Sequence, residues 1–94
     1  MKYNVLIVDD HFVVREGLKL IIETSDSFQI IGEAANGEEA LSFIEKKKPD
    51  VILMDLNMPK MSGLETIEAL NKKQNHTPII ILTTYNEDEL MLKG

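Results

Sequence analysis

Three uninterrupted apolar runs mark the chain: Val5-Leu6-Ile7-Val8, Val51-Ile52-Leu53-Met54 and Ile79-Ile80-Ile81-Leu82. Each is short, rich in β-branched side chains and bounded by polar or turn residues. A strand with one wet face alternates apolar and polar positions. A run without alternation predicts a parallel strand buried on both faces. A fourth, weaker run, Phe28 to Glu33, is more polar and is assigned to a sheet edge. Between the runs the period changes. Val13, Val14, Gly17, Leu18, Ile21 and Ile22 recur at helical spacing and predict an amphipathic helix. Asn36, with Glu39 three residues on, fits a capping box that opens a second helix. That helix runs through Ala40, Leu41 and Ile44 to Lys46-Lys47-Lys48 and stops before Pro49. The lysine run reads as a solvated helix end, not a nucleic-acid patch. Ser62 or Gly63 opens a third helix with Leu64, Ile67 and Leu70, and Pro78 opens the last strand. After Thr84, YNEDELMLK predicts the start of a fourth helix capped by Asn86.

The order β-α-β-α-β-α-β-α predicts an α/β fold: a doubly wound, mostly parallel sheet with right-handed crossovers. An edge-like second strand favours the flavodoxin-like order 2-1-3-4. The order then reverses between the first and third strands, and ligands bind beyond the carboxyl ends of strands at such a point.

Composition narrows this picture. The 94 residues suffice for one small core, and no linker or repeat divides them. There is no cysteine, which removes disulfides and thiolate metal sites and fits a reducing, cytoplasmic location. The apolar stretch after Met1 is too short for a signal peptide or a membrane span. A net charge of −6 argues against direct nucleic-acid binding and for a divalent cation or a basic partner.

The chemistry lies where the strands end. The first ends in Asp9-Asp10, the third in Asp55 and the fourth in Thr83-Thr84. One such aspartate alone would be a helix cap or a turn residue. Three converging on one point repel one another unless a cation compensates them. Mg²⁺ suits that role, because it takes oxygen ligands and needs only one or two carboxylates. A carboxylate is also a nucleophile that forms an aspartyl phosphate. Asp55, on the central strand, is assigned the attack, with Asp9 and Asp10 as metal ligands. The Thr83 hydroxyl is in a position to bond a phosphoryl oxygen.

The set LIVDDH, VILMDLNMP with Gly63, and IIILTTY resembles the receiver domain of two-component response regulators, of the CheY-like fold. More narrowly, DDHFVVREGL and IIGEAANGEEAL resemble the NarL/LuxR-type subfamily. The resemblance runs through the whole chain, residues 1–94. It implies that Asp55 accepts phosphate from a sensor histidine kinase, that Asp9 and Asp10 bind Mg²⁺, and that Asn57 gives the metal its backbone carbonyl. It implies that Thr83 is the switch hydroxyl and that Pro59 and Gly63 shape the loop after the acceptor. Such a domain is not a conventional enzyme. In the subfamily it controls a DNA-binding output domain and hence transcription.

The chain also departs from the family pattern. Receivers have a fifth strand, carrying an aromatic switch residue and a phosphoryl-binding lysine, and a fifth helix. Lys93 follows Thr83 too closely to be that lysine. The sequence therefore reads as a receiver without its last βα unit and without an output domain. An exposed apolar fourth strand would favour self-association by edge pairing or domain swapping. Of the other residues, His11 reads as a first-turn helix residue beside the site, with a metal ligand or a phosphate carrier as the other readings. Arg15 and His76 read as surface residues, and Met58 is placed near the site mouth. A haloacid-dehalogenase-like phosphatase would need an aspartate at Asn57. An FMN binder would need a Ser-, Thr- or Gly-rich loop where Asp9-Asp10-His11 stands. An unphosphorylated receiver-like interaction module is the remaining alternative.

Overall fold

The computed structural model describes residues 2–56, 58 and 60–82. Among these, β1 (Tyr3–Val8), α1 (Phe12–Glu23), β2 (Phe28–Ala34), α2 (Gly37–Lys46), β3 (Val51–Asp55), α3 (Gly63–Lys72) and β4 (Ile79–Leu82) follow in strict alternation. The four strands form one parallel sheet in the order β2-β1-β3-β4, as the apolar pattern predicts. The segment assigned to a fourth helix, together with Asn57, Pro59 and Thr83, lies outside the described residues.

The core lies on one face of the sheet. Leu6 and Val8 of β1, Ile52 and Met54 of β3, and Ala34 of β2 pack with Ala40 and Ile44 of α2, Leu70 of α3 and Met58. Met58 thus sits in this core. Truncating a fully buried side chain such as Ile52 to alanine costs about 2–5 kcal/mol. Side chains alternate along a strand, so Val5 and Ile7 point to the opposite face, which α1 covers in part.

Local chemistry sets the helix starts. The Ser62 side chain accepts from the Glu65 amide while the Glu65 carboxylate accepts from the Ser62 amide, a complete capping box for α3. At α2, the Asn36 side chain accepts from the Glu39 amide as expected. The Glu39 carboxylate reaches one residue further back and accepts from the Ala35 amide.

One expectation needs correction. The stripe assigned to α1 turns away from the sheet in part. Val14, Leu18 and Ile22 are half-buried, whereas Val13 and Ile21 are exposed. The apolar positions span more than one helical stripe, and the sheet takes only one of them. The run Ile79–Leu82 lacks alternation, as a strand buried on both faces would, yet the order 2-1-3-4 puts it at the edge. Among the described residues it is an edge strand with Ile80 and Ile81 exposed, as expected of the fourth strand.

The strand β2 is an edge, as its polarity predicts, and it is irregular. Val5 pairs with Ile30 but Leu6 pairs with Gly32, so Ile31 is an extra residue in the ladder. Beyond this bulge Glu33 lies beside Ile7 and Ala34 beside Val8. Glu33 therefore stands on the α1 face, near the end of β1.

Candidate functional site

Parallel strands end together, so the side chains just past β1 and at the end of β3 meet at one edge of the sheet. The Asp9 amide donates to the Ala34 carbonyl (3.0 Å), which carries the β1–β2 ladder one residue past β1. Asp55 is the last residue of β3 and pairs with Leu82 of β4. Gly63 lies at the start of α3, and its amide donates to the Leu56 carbonyl at 3.0 Å. That bond pins the loop after Asp55 against the helix.

Asp9, Asp10, His11 and Asp55 each place a donor atom within 4.8 Å of the others. Asp9 and Asp55 are fully buried, whereas the Asp10 side chain is 28% exposed. Among the described residues Asp9 Oδ2 is buried without a hydrogen-bond donor. A buried carboxylate oxygen with no donor is costly unless a cation serves it. The convergence of the three carboxylates matches the sequence expectation. Thr83 and Asn57, the other two expected members, lie outside the described residues.

His11 is more than a bystander. It is the N-cap of α1 but caps with backbone only, and its extended conformation (φ −92°, ψ 110°) turns the ring back into the acidic cluster. Its Nδ1 donates to Asp9 Oδ1 at 2.7 Å and lies 3.2 Å from Asp10 Oδ1 and 3.8 Å from Asp55 Oδ2. The hydrogen bond to Asp9, then the charge of Asp10, hold the imidazole above its ordinary value of 6.5. Asp9 Oδ1 also accepts from the His11 amide at 2.8 Å.

Arg15, expected on the surface, is held instead. Its side chain is 16% exposed, and one guanidinium nitrogen donates to the Asp9 carbonyl at 2.6 Å. Its Nε donates to Glu33 at 3.0 Å, and the guanidinium lies 5.8 Å from the Phe12 ring centroid. Lys19 donates to the second Glu33 oxygen at 3.0 Å. The Lys19 hydrogen bond, ahead of that from Arg15, holds the Glu33 carboxyl below the usual carboxylate range. Nothing in the sequence pattern marks a backbone carbonyl as the partner of Arg15. The one available signal is its spacing, one helical turn after His11. His76 is exposed, as expected.

A cleft of about 470 Å³ lies elsewhere. It is lined by Ile44, Leu70, Lys73 and His76 near the carboxyl ends of α2 and α3. It holds no part of the acidic cluster. The candidate chemistry lies at the strand-end site instead.

The sequence matches the response regulator receiver domain family over residues 5–94. The chain belongs to that family. Its receiver domain is 64% identical over 91 residues to the transcriptional regulatory protein YdfI of Bacillus subtilis, covering 97% of this chain and 42% of that protein. It is 40% identical over 86 residues to the nitrate/nitrite response regulator protein NarL of Escherichia coli, covering 92% and 40%. The chain thus spans less than half the length of these relatives. Among solved structures, the receiver domain of the putative response regulator NarL from Mycobacterium tuberculosis superposes with a TM-score of 0.83 at 32% identity, covering 98% of this chain and 74% of that one. The response regulator domain of Thermotoga maritima CheB gives 0.84 at 35%, covering 94% and 65%. These likenesses place the receiver domain in the CheY-like fold and the NarL/LuxR group. No described helix is long and apolar enough to cross a membrane.

Proposed function

We propose that this receiver domain is a phosphoacceptor switch, with Asp55 as the residue that takes the phosphoryl group from a sensor histidine kinase. The observation that supports the reading best is the meeting of three carboxylates within 4.8 Å at the strand ends of a receiver fold. In the transfer, an Asp55 carboxylate oxygen forms a bond to phosphorus. The bond from phosphorus to the donor imidazole nitrogen breaks, and its electron pair leaves with the imidazole. The product is an acyl phosphate on Asp55.

The donor set fits Mg²⁺: all-oxygen carboxylate ligands, with a buried oxygen on Asp9 that lacks a hydrogen bond among the described residues. Asp9, Asp10 and Asp55 would hold the ion, with the Asn57 backbone carbonyl as a further ligand. When bound, Mg²⁺ supplies charge neutralisation and alignment of the phosphoryl oxygens. The protein's own part is positional. The end of β3 fixes Asp55, the Gly63–Leu56 bond fixes the loop behind it, and the Thr83 hydroxyl bonds a phosphoryl oxygen of the product. Drawing in of Thr83 then biases a two-state surface that partners read.

The longer relatives are regulators by name. On that likeness the domain serves, in the cytoplasm, as the input half of a transcription factor whose DNA-binding part lies beyond the 94 residues. Among the described residues, β4 offers an apolar edge at Ile80 and Ile81 for self-association by edge pairing or swapping. The test of the central reading is intact mass after treatment with acetyl phosphate and Mg²⁺. Addition of one phosphoryl group that disappears in Asp55→Ala supports it. Addition that survives the substitution, or no addition to a version extended through the relatives' length, refutes it and favours an unphosphorylated interaction module.

A further inference from the structure

We infer that Arg15 is a positioning residue that sets the geometry of the Asp9-Asp10-His11 turn for cation binding, through a clamp built from Glu33, Lys19 and Phe12. The inference rests on the proposed role of that turn as a metal site and adds a residue outside the carboxylate cluster.

The turn is fixed at three backbone points. The Asp9 amide is held by the Ala34 carbonyl of β2. The Asp9 carbonyl is held by the Arg15 guanidinium at 2.6 Å. The His11 carbonyl is held by the Arg15 amide at 3.1 Å, the first full helical bond of α1. Two of the three points are therefore Arg15. The peptide between Asp9 and Asp10 cannot rotate without breaking the guanidinium bond, and that rotation would swing the Asp10 carboxylate out of the cluster.

The guanidinium is itself anchored. The bulge in β2 puts Glu33 beside Ile7, facing α1, where its carboxylate takes Arg15 Nε on one oxygen and Lys19 Nζ on the other. Lys19 also pairs with Glu16 one turn away, which fixes it along the helix. The Phe12 ring covers the guanidinium from the side. A planar fork serves two acceptors in fixed directions, which an ammonium group does not do. Partners that orient ligands in this way are worth about 10–100-fold in metal affinity.

The sign of the effect separates positioning from plain electrostatics. Arg15 is a cation beside a cation site, so losing its charge alone would tighten metal binding. Losing the clamp loosens it. The 94-residue chain is titrated with Mn²⁺, and free ion is read by its paramagnetic resonance signal. Arg15→Met, which keeps the apolar stem, is expected to weaken Mn²⁺ binding about tenfold. Arg15→Lys, which keeps the charge but holds one acceptor at a time, falls between. In metal-free protein, amide exchange at His11 accelerates in Arg15→Met while that at Ile52 in the core is unchanged. If Arg15→Met also loses protection at Ile52, Glu33→Gln decides. It keeps the guanidinium and must weaken Mn²⁺ binding severalfold and also accelerate amide exchange at His11 with Ile52 unchanged, which the loss of one carboxylate charge would not do by itself. Arg15→Met binding that equals or exceeds wild type overturns the inference alone, as does unaltered binding in Glu33→Gln. A wild-type chain that binds no Mn²⁺ overturns both this inference and the metal reading.

Discussion

Substituting the same residue type in the same way at Gly63 and at Gly17 should move stability in opposite directions. At Gly63 a Cβ would stand 2.6 Å from the Asp55 carbonyl oxygen, 2.8 Å from Leu56 Cα and 3.0 Å from Leu56 Cδ2. Two of these are backbone atoms and cannot rotate away. A retreat of roughly 0.8 Å is needed to bring 2.6 Å up to the 3.4 Å at which ordinary contact begins. Overpacking of this kind costs about 1–3 kcal/mol. The intrinsic gain of alanine over glycine in a helix is at most ~1 kcal/mol, and less in the first turn. The net loss for Gly63→Ala is therefore about 1–2 kcal/mol. For a domain of this size that lowers Tm by roughly 5–15 °C. At Gly17, within α1, a Cβ meets nothing within 4 Å. Gly17→Ala should keep the helix gain of about 0.5–1 kcal/mol and raise Tm by a few degrees, roughly 3–8 °C. Thermal unfolding followed by circular dichroism in EDTA reads both. A Gly63→Ala protein as stable as wild type would refute the close approach of α3 to the Asp55 strand end. A destabilised Gly17→Ala would refute the open surface at that turn of α1.

Neutralising Asp9 as Asp9→Asn should stabilise the metal-free protein by about 1–3 kcal/mol, because two unit charges within 4.8 Å repel by about 3 kcal/mol at an effective dielectric of 20. If the cluster takes Mg²⁺ as proposed, the ion should raise the Tm of wild type and not that of the variant, and a Tm in EDTA below that of wild type would refute the repulsion argument. The His11 ring protons should titrate by NMR with a midpoint above 6.5 in the metal-free chain. A folded-state value raised above the unfolded one means that protonated His11 stabilises the fold. That contribution is complete below 6.5 and is lost as pH rises through the raised value, so His11→Ala should cost more stability near about pH 6 than near about pH 9. Leu20 and Ile21 of α1 are 69% and 68% exposed, and Ile80 and Ile81 lie bare on β4. Ile81→Lys should lower the weight-average mass of the concentrated chain in light scattering, and a wild-type chain that is already a clean monomer would refute self-association.

The sheet order and the acidic cluster were legible because each depends on local pattern plus one topological rule. Unalternating runs fix which strands lie inside, and the polar Phe28 run fixes the edge. The strand order then decides which carboxyl ends are neighbours, so Asp9, Asp10 and Asp55 meet without any knowledge of their side chains. What escaped depends on tertiary choice. The apolar positions of α1 are broad enough for two faces, and only packing on β2 selects Val14, Leu18 and Ile22. The bulge at Ile31 leaves no mark in composition, yet it decides that Glu33 faces α1. The partner of Arg15 is a main-chain carbonyl, which every residue possesses and no sequence pattern advertises. His11 stands beside the site at the start of α1, as expected, but the inward turn of its ring was not legible for a related reason. A residue in the cap position usually serves the helix, and its ring turns inward only because three carboxylates there offer more than the helix amides do.

His11 and Arg15 divide one electrostatic problem between them in opposite ways. Arg15 and, when protonated, His11 are cations beside the same carboxylates, and both then favour the metal-free fold by offsetting their repulsion. Their positions differ, however. His11 Nδ1 lies among the carboxylate oxygens, 2.7 Å from the nearest, in the space that a bound cation needs. Arg15 approaches from behind and bonds the Asp9 carbonyl, leaving the carboxylates open. A cation entering the cluster must therefore displace the imidazole but need not disturb the guanidinium. Loss of His11 should lower metal-free stability and raise metal affinity, whereas loss of Arg15 should lower both. Charge alone predicts the same sign of affinity change for the two residues. Opposite signs would show that geometry, set by which side each group approaches from, governs how this turn meets a cation.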